Sequence, residues 1–165
     1  MSEPMWILIP ISLLVLFLIM ALRHDGARPP SPVAATDGDE RLAGARQIYG
    51  VNALMDETAA RHLGDGGVLR EIDLLLPKGG GEPMRLYELM SPVGAATDVQ
   101  LALREHYEAG LEAYRERRWK DAMGELWACL EIVPDDGPSR ALLARTQRLS
   151  GEDPGPEWDG VWRQT

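Results

Sequence analysis

Three histidines, one cysteine and a scatter of carboxylates are the side chains here that serve proton transfer, nucleophilic attack or metal binding. Their spacing assembles none of these. His24, His62 and His106 share no metal-ligand spacing, and isolated surface histidines are the commoner case. Cys129, the single cysteine, excludes an internal disulfide and a thiolate metal cluster. It falls on an apolar helical stripe, where it reads as a small buried hydrophobe. Glu57, Glu71, Asp73 and Glu82 are read on separate elements and form no acid/base pair. The glycine run 79–81 after Lys78 is not a phosphate loop, because neither a helix start nor Lys-Ser/Thr follows; it is a hairpin turn. No catalytic, cofactor-binding or metal-binding residue is therefore assigned. The chain is not expected to be an enzyme, to carry a cofactor or to take a small-molecule substrate.

Recognition chemistry is better represented. Trp158 and Trp162 lie four residues apart in Glu-Trp-Asp-Gly-Val-Trp, and Trp127 lies off the main stripe of its helix. Tryptophan is favoured at the centres of protein interfaces, so all three are candidate protein contacts. For the tail pair a second fate is open, folding back to cap the helical part or a small sheet. A formal net charge of −9 excludes a basic surface for nucleic acid or anionic lipid.

Four kinds of segment must position these residues. Residues 5–22 form an apolar run without a charge, long enough as a helix for roughly 27 Å, close to the hydrocarbon thickness of a bilayer. Pro10 falls in its first turns, where the missing donor costs least. The preceding Met-Ser-Glu-Pro is not basic and no small-x-small cleavage site follows, so a single uncleaved transmembrane helix is expected. Arg23 and Arg28 follow it, which places the C-terminal part on the cytoplasmic side. Residues 23–39, rich in Gly, Ala, Pro, Ser and Asp, read as a solvated linker.

Residues 40–90 have an α-β-α-β-β rhythm. A helix over 40–49 stops at Gly50, and a short strand follows over 51–55. Asp56-Glu57-Thr58 caps a helix through Leu63. A strand over 68–76 places Val68, Ile72, Leu74 and Leu76 on one face. It turns through 78–83 into a second strand over 84–90. This piece is small for a core of its own and must pack on something else.

Residues 98–149 read as helices. Leu103, Tyr107, Gly110, Leu111 and Tyr114 make one stripe; Trp119, Ala122, Met123, Leu126, Cys129, Leu130 and Val133 make a second. The turn between them is 116–118. A third helix begins near Pro138 and docks through Leu142, Leu143, Ala144 and Leu149, and residues 150–165 form a tryptophan-containing tail.

The segments Glu-Arg-Leu-Ala-Gly-Ala-Arg-Gln-Ile-Tyr-Gly, Asp-Glu-Thr-Ala-Ala-Arg-His-Leu-Gly-Asp, Leu-Arg-Glu-Ile-Asp, Pro-Lys-Gly and Glu-Pro-Met-Arg-Leu-Tyr-Glu-Leu occur in this order. Together they resemble the C-terminal end of bacterial class III adenylate/guanylate cyclase domains. Pro-Gly-Pro-Glu-Trp-Asp-Gly-Val-Trp looks like the closing motif of membrane-bound members. The resemblance implies a truncated module, because the front half that carries the family's two metal-holding carboxylates is replaced by the linker and the apolar run. The family's transition-state Asn and Arg would fall on Asp37 and Arg41. Arg41 keeps the register, whereas Asp37 would set a negative charge near a polyphosphate. Gly80 stands where members often carry a second lysine. Two-metal phosphoryl chemistry cannot run without the missing carboxylates.

Gly110, Tyr114, Trp119, Ala122, Leu126, Cys129 and Pro134 also resemble a tetratricopeptide repeat (TPR), of which one copy and the first helix of another are present. One repeat cannot bury its apolar face alone, and repeats of this type usually bind protein.

The expectation is thus an α+β chain with a single N-terminal transmembrane helix (5–22), a small cyclase-like α/β module with a β-hairpin (40–90) and a TPR-like helical hairpin plus one helix (98–149). Its expected role is that of a non-catalytic accessory or scaffold subunit in the bacterial inner membrane. It would steady a respiratory, photosynthetic or signalling complex, with other membrane-protein subunits and the bilayer as partners. The alternative is a pseudo-cyclase that regulates a full-length class III nucleotide cyclase.

Overall fold

A computed structural model describes residues 37–164, apart from 52 and 79. In chain order the elements are α1 (Asp37–Tyr49), β1 (Leu54–Asp56), α2 (Glu57–Leu63), β2 (Gly67–Leu76), β3 (Met84–Pro92), α3 (Asp98–Arg115), α4 (Trp119–Ile132), α5 (Gly137–Gly151) and β4 (Trp162–Arg163), with a 3-10 turn at Gly64–Gly66. The sheet is mixed, in the order β1-β3-β2-β4; β1, β3 and β2 pair antiparallel, and β4 joins β2 in parallel.

The described residues do not contain the expected membrane span. Among the described residues no helix is long and apolar enough to cross a membrane. The longest, α3, has one buried stripe, while Glu105, Glu108 and Glu112 on its other side are exposed. The 5–22 run and most of the 23–39 linker lie outside the described residues. The single-pass assignment, the inner-membrane location and the cytoplasmic orientation drawn from that run therefore have no support and are withdrawn. What the described residues form is an α+β fold of five helices and a four-stranded sheet.

Local chemistry sets most of the boundaries. The Asp56 side chain accepts from the Ala59 amide at 2.8 Å and starts α2. Thr97 and Gln100 form a reciprocal capping box at the start of α3. Asp136 caps α5 by accepting from the Ser139 amide at 3.0 Å. The turn from α3 to α4 is a Schellman motif, with the Arg118 amide bonded to Ala113 O and the Arg117 amide to Tyr114 O. Arg117 takes the left-handed position at φ 60°, where glycine is usual. Its guanidinium donates to Gly155 O and lies 3.7 Å from Asp153, which ties the tail to this turn.

Strand β2 departs from simple alternation. Its ladder to β3 shifts register between Glu71 and Asp73, leaving Ile72 without a partner. Such a bulge changes the phase of the side chains. Arg70, Ile72, Asp73 and Leu75 are consequently the buried positions, whereas Val68, Leu74 and Leu76, expected beside Ile72, are only partly covered.

The buried face carries charge. Arg70 donates to Asp136 through Nη1 (3.0 Å) and Nη2 (2.8 Å), and to Glu88, its cross-strand neighbour, at 2.6 and 3.1 Å. Asp73 accepts from the Tyr49 hydroxyl and lies 2.6 Å from Arg145 Nη2. The Tyr107 hydroxyl donates to Ile72 O at 2.8 Å. A polar seam of opposed pairs thus joins two apolar clusters. One is built from Ala45, Tyr49, Leu54, Ile72, Leu75 and Leu86, the other from residues of α3, α4 and α5 including Tyr107, Tyr114, Leu126 and Leu142. Residues from Asp37 onward form one compact unit.

Close approach is built in at two glycines. A Cβ on Gly110 would meet Leu126 Cγ at 3.2 Å, so α3 and α4 pack near their limit. One on Gly137 would meet the Tyr49 carbonyl oxygen at 2.0 Å, a backbone atom that cannot swing away.

Three tests follow from this packing. Gly137→Ala lowers the denaturant midpoint, whereas Gly124→Ala leaves it level or raises it. A Cβ on Gly124 meets nothing within 4 Å, and there alanine adds up to about 1 kcal/mol of helix propensity. Equal effects would contradict the close approach. Arg70→Met lowers unfolding free energy by about 3–5 kcal/mol, because it strands buried carboxylates. Adding Asp136→Asn, which keeps the helix cap, recovers part of that loss in a double-mutant cycle; strict additivity would show the two residues uncoupled.

Alkaline pH supplies the third. Burial pushes the Cys129 thiol from 9.0 to about 11 and the Tyr114 hydroxyl from 10.0 to about 12. Burial, reinforced by Asp73, also raises Tyr49 and Tyr107. The folded state holds these protons more tightly than the unfolded chain. The stability they contribute is whole below about pH 9 and falls as pH rises toward 11–12, by about 1.4 kcal/mol per pH unit for each group while it titrates. A melting temperature that stays level from pH 8 to pH 11 would contradict this.

Candidate protein-contact site

The ionisable side chains inside the fold are engaged with one another. Burial lowers the affinity of the Arg70 guanidinium for its proton, but the hydrogen bonds and charge of Asp136, with Glu88, outweigh it and raise the pKa overall. Burial acts likewise on Arg145, and Asp73 outweighs it. Neither terminal nitrogen of Arg145 makes an aligned hydrogen bond, so its tie to Asp73 is an ion pair. The guanidinium lies 4.7 Å from the Trp162 ring centre and 5.6 Å from that of Tyr114. These groups build structure, and none of them faces an open cleft as a free acid or base.

The remaining chemistry-bearing residues are spread out. His62 Nδ1 is 2.7 Å from Thr58 O on the exposed helix α2. His106 Nδ1 is 2.7 Å from Glu125 Oε2, linking α3 to α4 at the surface. Cys129 is fully buried, with Sγ donating to Leu103 O at 3.7 Å. Glu71, on the half-covered side of β2, is shared by Arg85 and Arg115 at 2.5 Å each. Among the described residues no group of three or more His, Cys, Asp or Glu is arranged to hold a metal ion. The backbone at Arg41 belongs to α1, and its side chain lies outside the described residues.

The three tryptophans singled out as candidate contacts, Trp127, Trp158 and Trp162, meet different fates. Trp158 turns back onto the helices and packs edge-on against Tyr114 and Trp119, with ring centres 5.3 and 6.0 Å away. Trp162 enters the sheet as the first residue of β4, beside Leu75, with Arg145 and Arg148 over its ring. Both are partly buried within the chain itself. Trp127 is 53% exposed. It stands at a groove of about 440 Å³ between α4 and α5, walled by Trp127, Leu130 and Pro134 on one side and by Arg140, Leu143, Ala144 and Gln147 on the other.

This groove presents apolar surface in a concave form, the usual setting for a binding anchor. The sequence reading singled out Trp127 but not the opposite wall, where Leu143 and Ala144 were assigned to docking the third helix. Leu143 is buried on the α4 side, whereas Ala144, one position on, is exposed in the groove. A second depression of about 240 Å³ lies between the start of α2 and the β2–β3 turn. Its walls carry Asp56, Glu57, Arg61, Glu82 and Arg85.

Comparison with known proteins adds one likeness. Over 84 residues the chain is 26% identical to an adenylate cyclase described as terminal-differentiation specific, from Dictyostelium discoideum. The aligned part is 49% of this chain and 4% of that protein, so the chain spans a small fraction of its relative's length. No family model matches, and no solved structure gives a significant match. A region of this chain is thus similar to part of an adenylate cyclase.

Proposed function

We propose that this chain is a non-catalytic interaction module, an accessory or scaffold subunit that docks on a larger protein assembly. The observation that carries the reading is Trp127, held 53% exposed at an open apolar groove on packed helices. A large aromatic in such a position costs hydration while free and contributes on binding, as interface anchors do. Arg70, Asp73, Asp136 and Arg145 are engaged in internal pairs, which gives them a structural role in supporting that groove.

The likeness to an adenylate cyclase favours a second reading. In it the segment through β3 is a remnant of the C-terminal part of a class III cyclase domain, fused to a TPR-like helical pair. The chain would then be a pseudo-cyclase partner that alters a full-length nucleotide cyclase, with Arg41 as the residue offered to it.

Gentle isolation of the tagged full chain from its native source tests both. The expected result is a stoichiometric complex that Trp127→Ala weakens by about 30-fold or more, the scale of an interface anchor. The variant itself should melt within about 0.5 kcal/mol of the parent, since Trp127 is a surface residue. A chain that runs alone as a monomer sinks the first reading. A nucleotide cyclase in the complex whose turnover changes with Arg41→Ala would establish the second.

A further inference from the structure

We infer that the α4–α5 groove receives an amphipathic helix from a partner protein, with aliphatic residues at i, i+3 or i+4, and i+7 and a carboxylate set against Arg140. The inference rests on the interaction reading above and specifies the chemistry of its partner.

Three observations carry it. First, the groove is walled by side chains from two packed helices and Pro134 just beyond one of them, and apart from Arg140, Gln147 and the Trp127 indole N–H its lining is apolar. Helix walls offer no unpaired backbone edge, so an extended peptide laid there would gain no sheet-type hydrogen bonds from the walls. A helix satisfies its own backbone and brings only side chains to the contact. Second, both walls repeat at helical steps, Trp127 to Leu130 on α4 and Arg140, Leu143, Ala144 and Gln147 on α5. Such rows are the ridges between which a further helix packs, and the small Ala144 between larger neighbours allows close approach.

Third, the charge on the walls has one sign. Arg140 is the one ionic lining residue among the described residues, and its side chain is 60% exposed. Among the described residues it is paired, at 3.1 Å, with Asp135, which is 89% exposed. A surface pair of this kind contributes little, so a carboxylate on the incoming helix can take its place. The net charge of −9 disfavours an acidic partner at long range. The matching helix therefore carries its carboxylate beside the aliphatic stripe and basic residues on its outward face.

A library of stably helical peptides with randomised surfaces, selected on the full chain, tests the inference. Recovered peptides should converge on the aliphatic stripe with one flanking Asp or Glu. Their binding should fall at least tenfold on Trp127→Ala, and Arg140→Glu should reverse the preference between a recovered peptide and its Glu→Lys twin. Convergent binding that ignores Trp127 or the sign at position 140 would overturn the proposal. So would self-association of the chain through Trp127 that excludes the peptides, because the occupant would then be a second copy. A photo-cross-linker at position 127 in the native complex separates this failure from that of the interaction reading. Cross-links to an extended or loop segment overturn the helix while leaving the interaction module in place. Absence of any complex that depends on Trp127 removes the interaction module itself.

Discussion

The fold turns on two ion pairs of opposed sense placed where apolar side chains would be expected. Strand β2 contributes Arg70 and Asp73, and the start and middle of α5 answer with Asp136 and Arg145. Because the signs alternate along both elements, sliding or reversing α5 on the sheet would bring like charges together. Buried pairs of this kind add little net stability, since desolvation offsets most of the attraction. Their effect here is to select one docking of α5, with the remaining partners filled by Glu88, Ser139 and Tyr49. Asp136 has two duties, ending the chain's turn as a helix cap and receiving the Arg70 fork.

Much else follows from where α5 is held. The groove beside Trp127 exists because α5 lies along α4 at this position, with Leu143 turned inward and Ala144 outward. The tail is anchored to the same framework. Trp162 lies under Arg145 and Arg148, Trp158 fills the space beside Tyr114 and Trp119, and the Gln164 amide bonds to Leu76 O. Arg117 accepts a strained backbone position and bonds to the tail from there. The sheet and helices thus form one body, and the exposed groove is carried on a rigid support rather than on a loop.

Some features were legible in the residues themselves. The cap at Asp56, the stop at Gly50, the hairpin between β2 and β3, the burial of Cys129 and the close packing at Gly110 all follow from types and spacings within a few residues. Other features were misread for physical reasons. Alternation along β2 pointed to the wrong neighbours of Ile72, because a bulge inserts one residue and shifts the phase. Asp73 looked like one acid among several, since nothing nearby in the chain reveals that Tyr49 and Arg145 converge on it. The membrane assignment rested on hydropathy in a segment outside the described residues, while the helices that are described each carry polar residues.

By itself the sequence determined the local elements, the exclusion of an internal disulfide or thiolate metal cluster by its single cysteine, the acidic charge and the candidacy of Trp127. Helix caps, glycine turns and apolar periods act between residues a few positions apart, so their physics is written in short windows. The tertiary structure decided the phase of β2, the parallel addition of β4, the inward fate of Trp158 and Trp162 and the groove itself. Those depend on partners far apart in the chain: Arg70 and Asp136 are 66 positions apart, and Tyr49 and Asp73 are 24 apart. Only when the chain has folded are such charges brought within bonding distance, in surroundings where leaving either one unpaired would be costly.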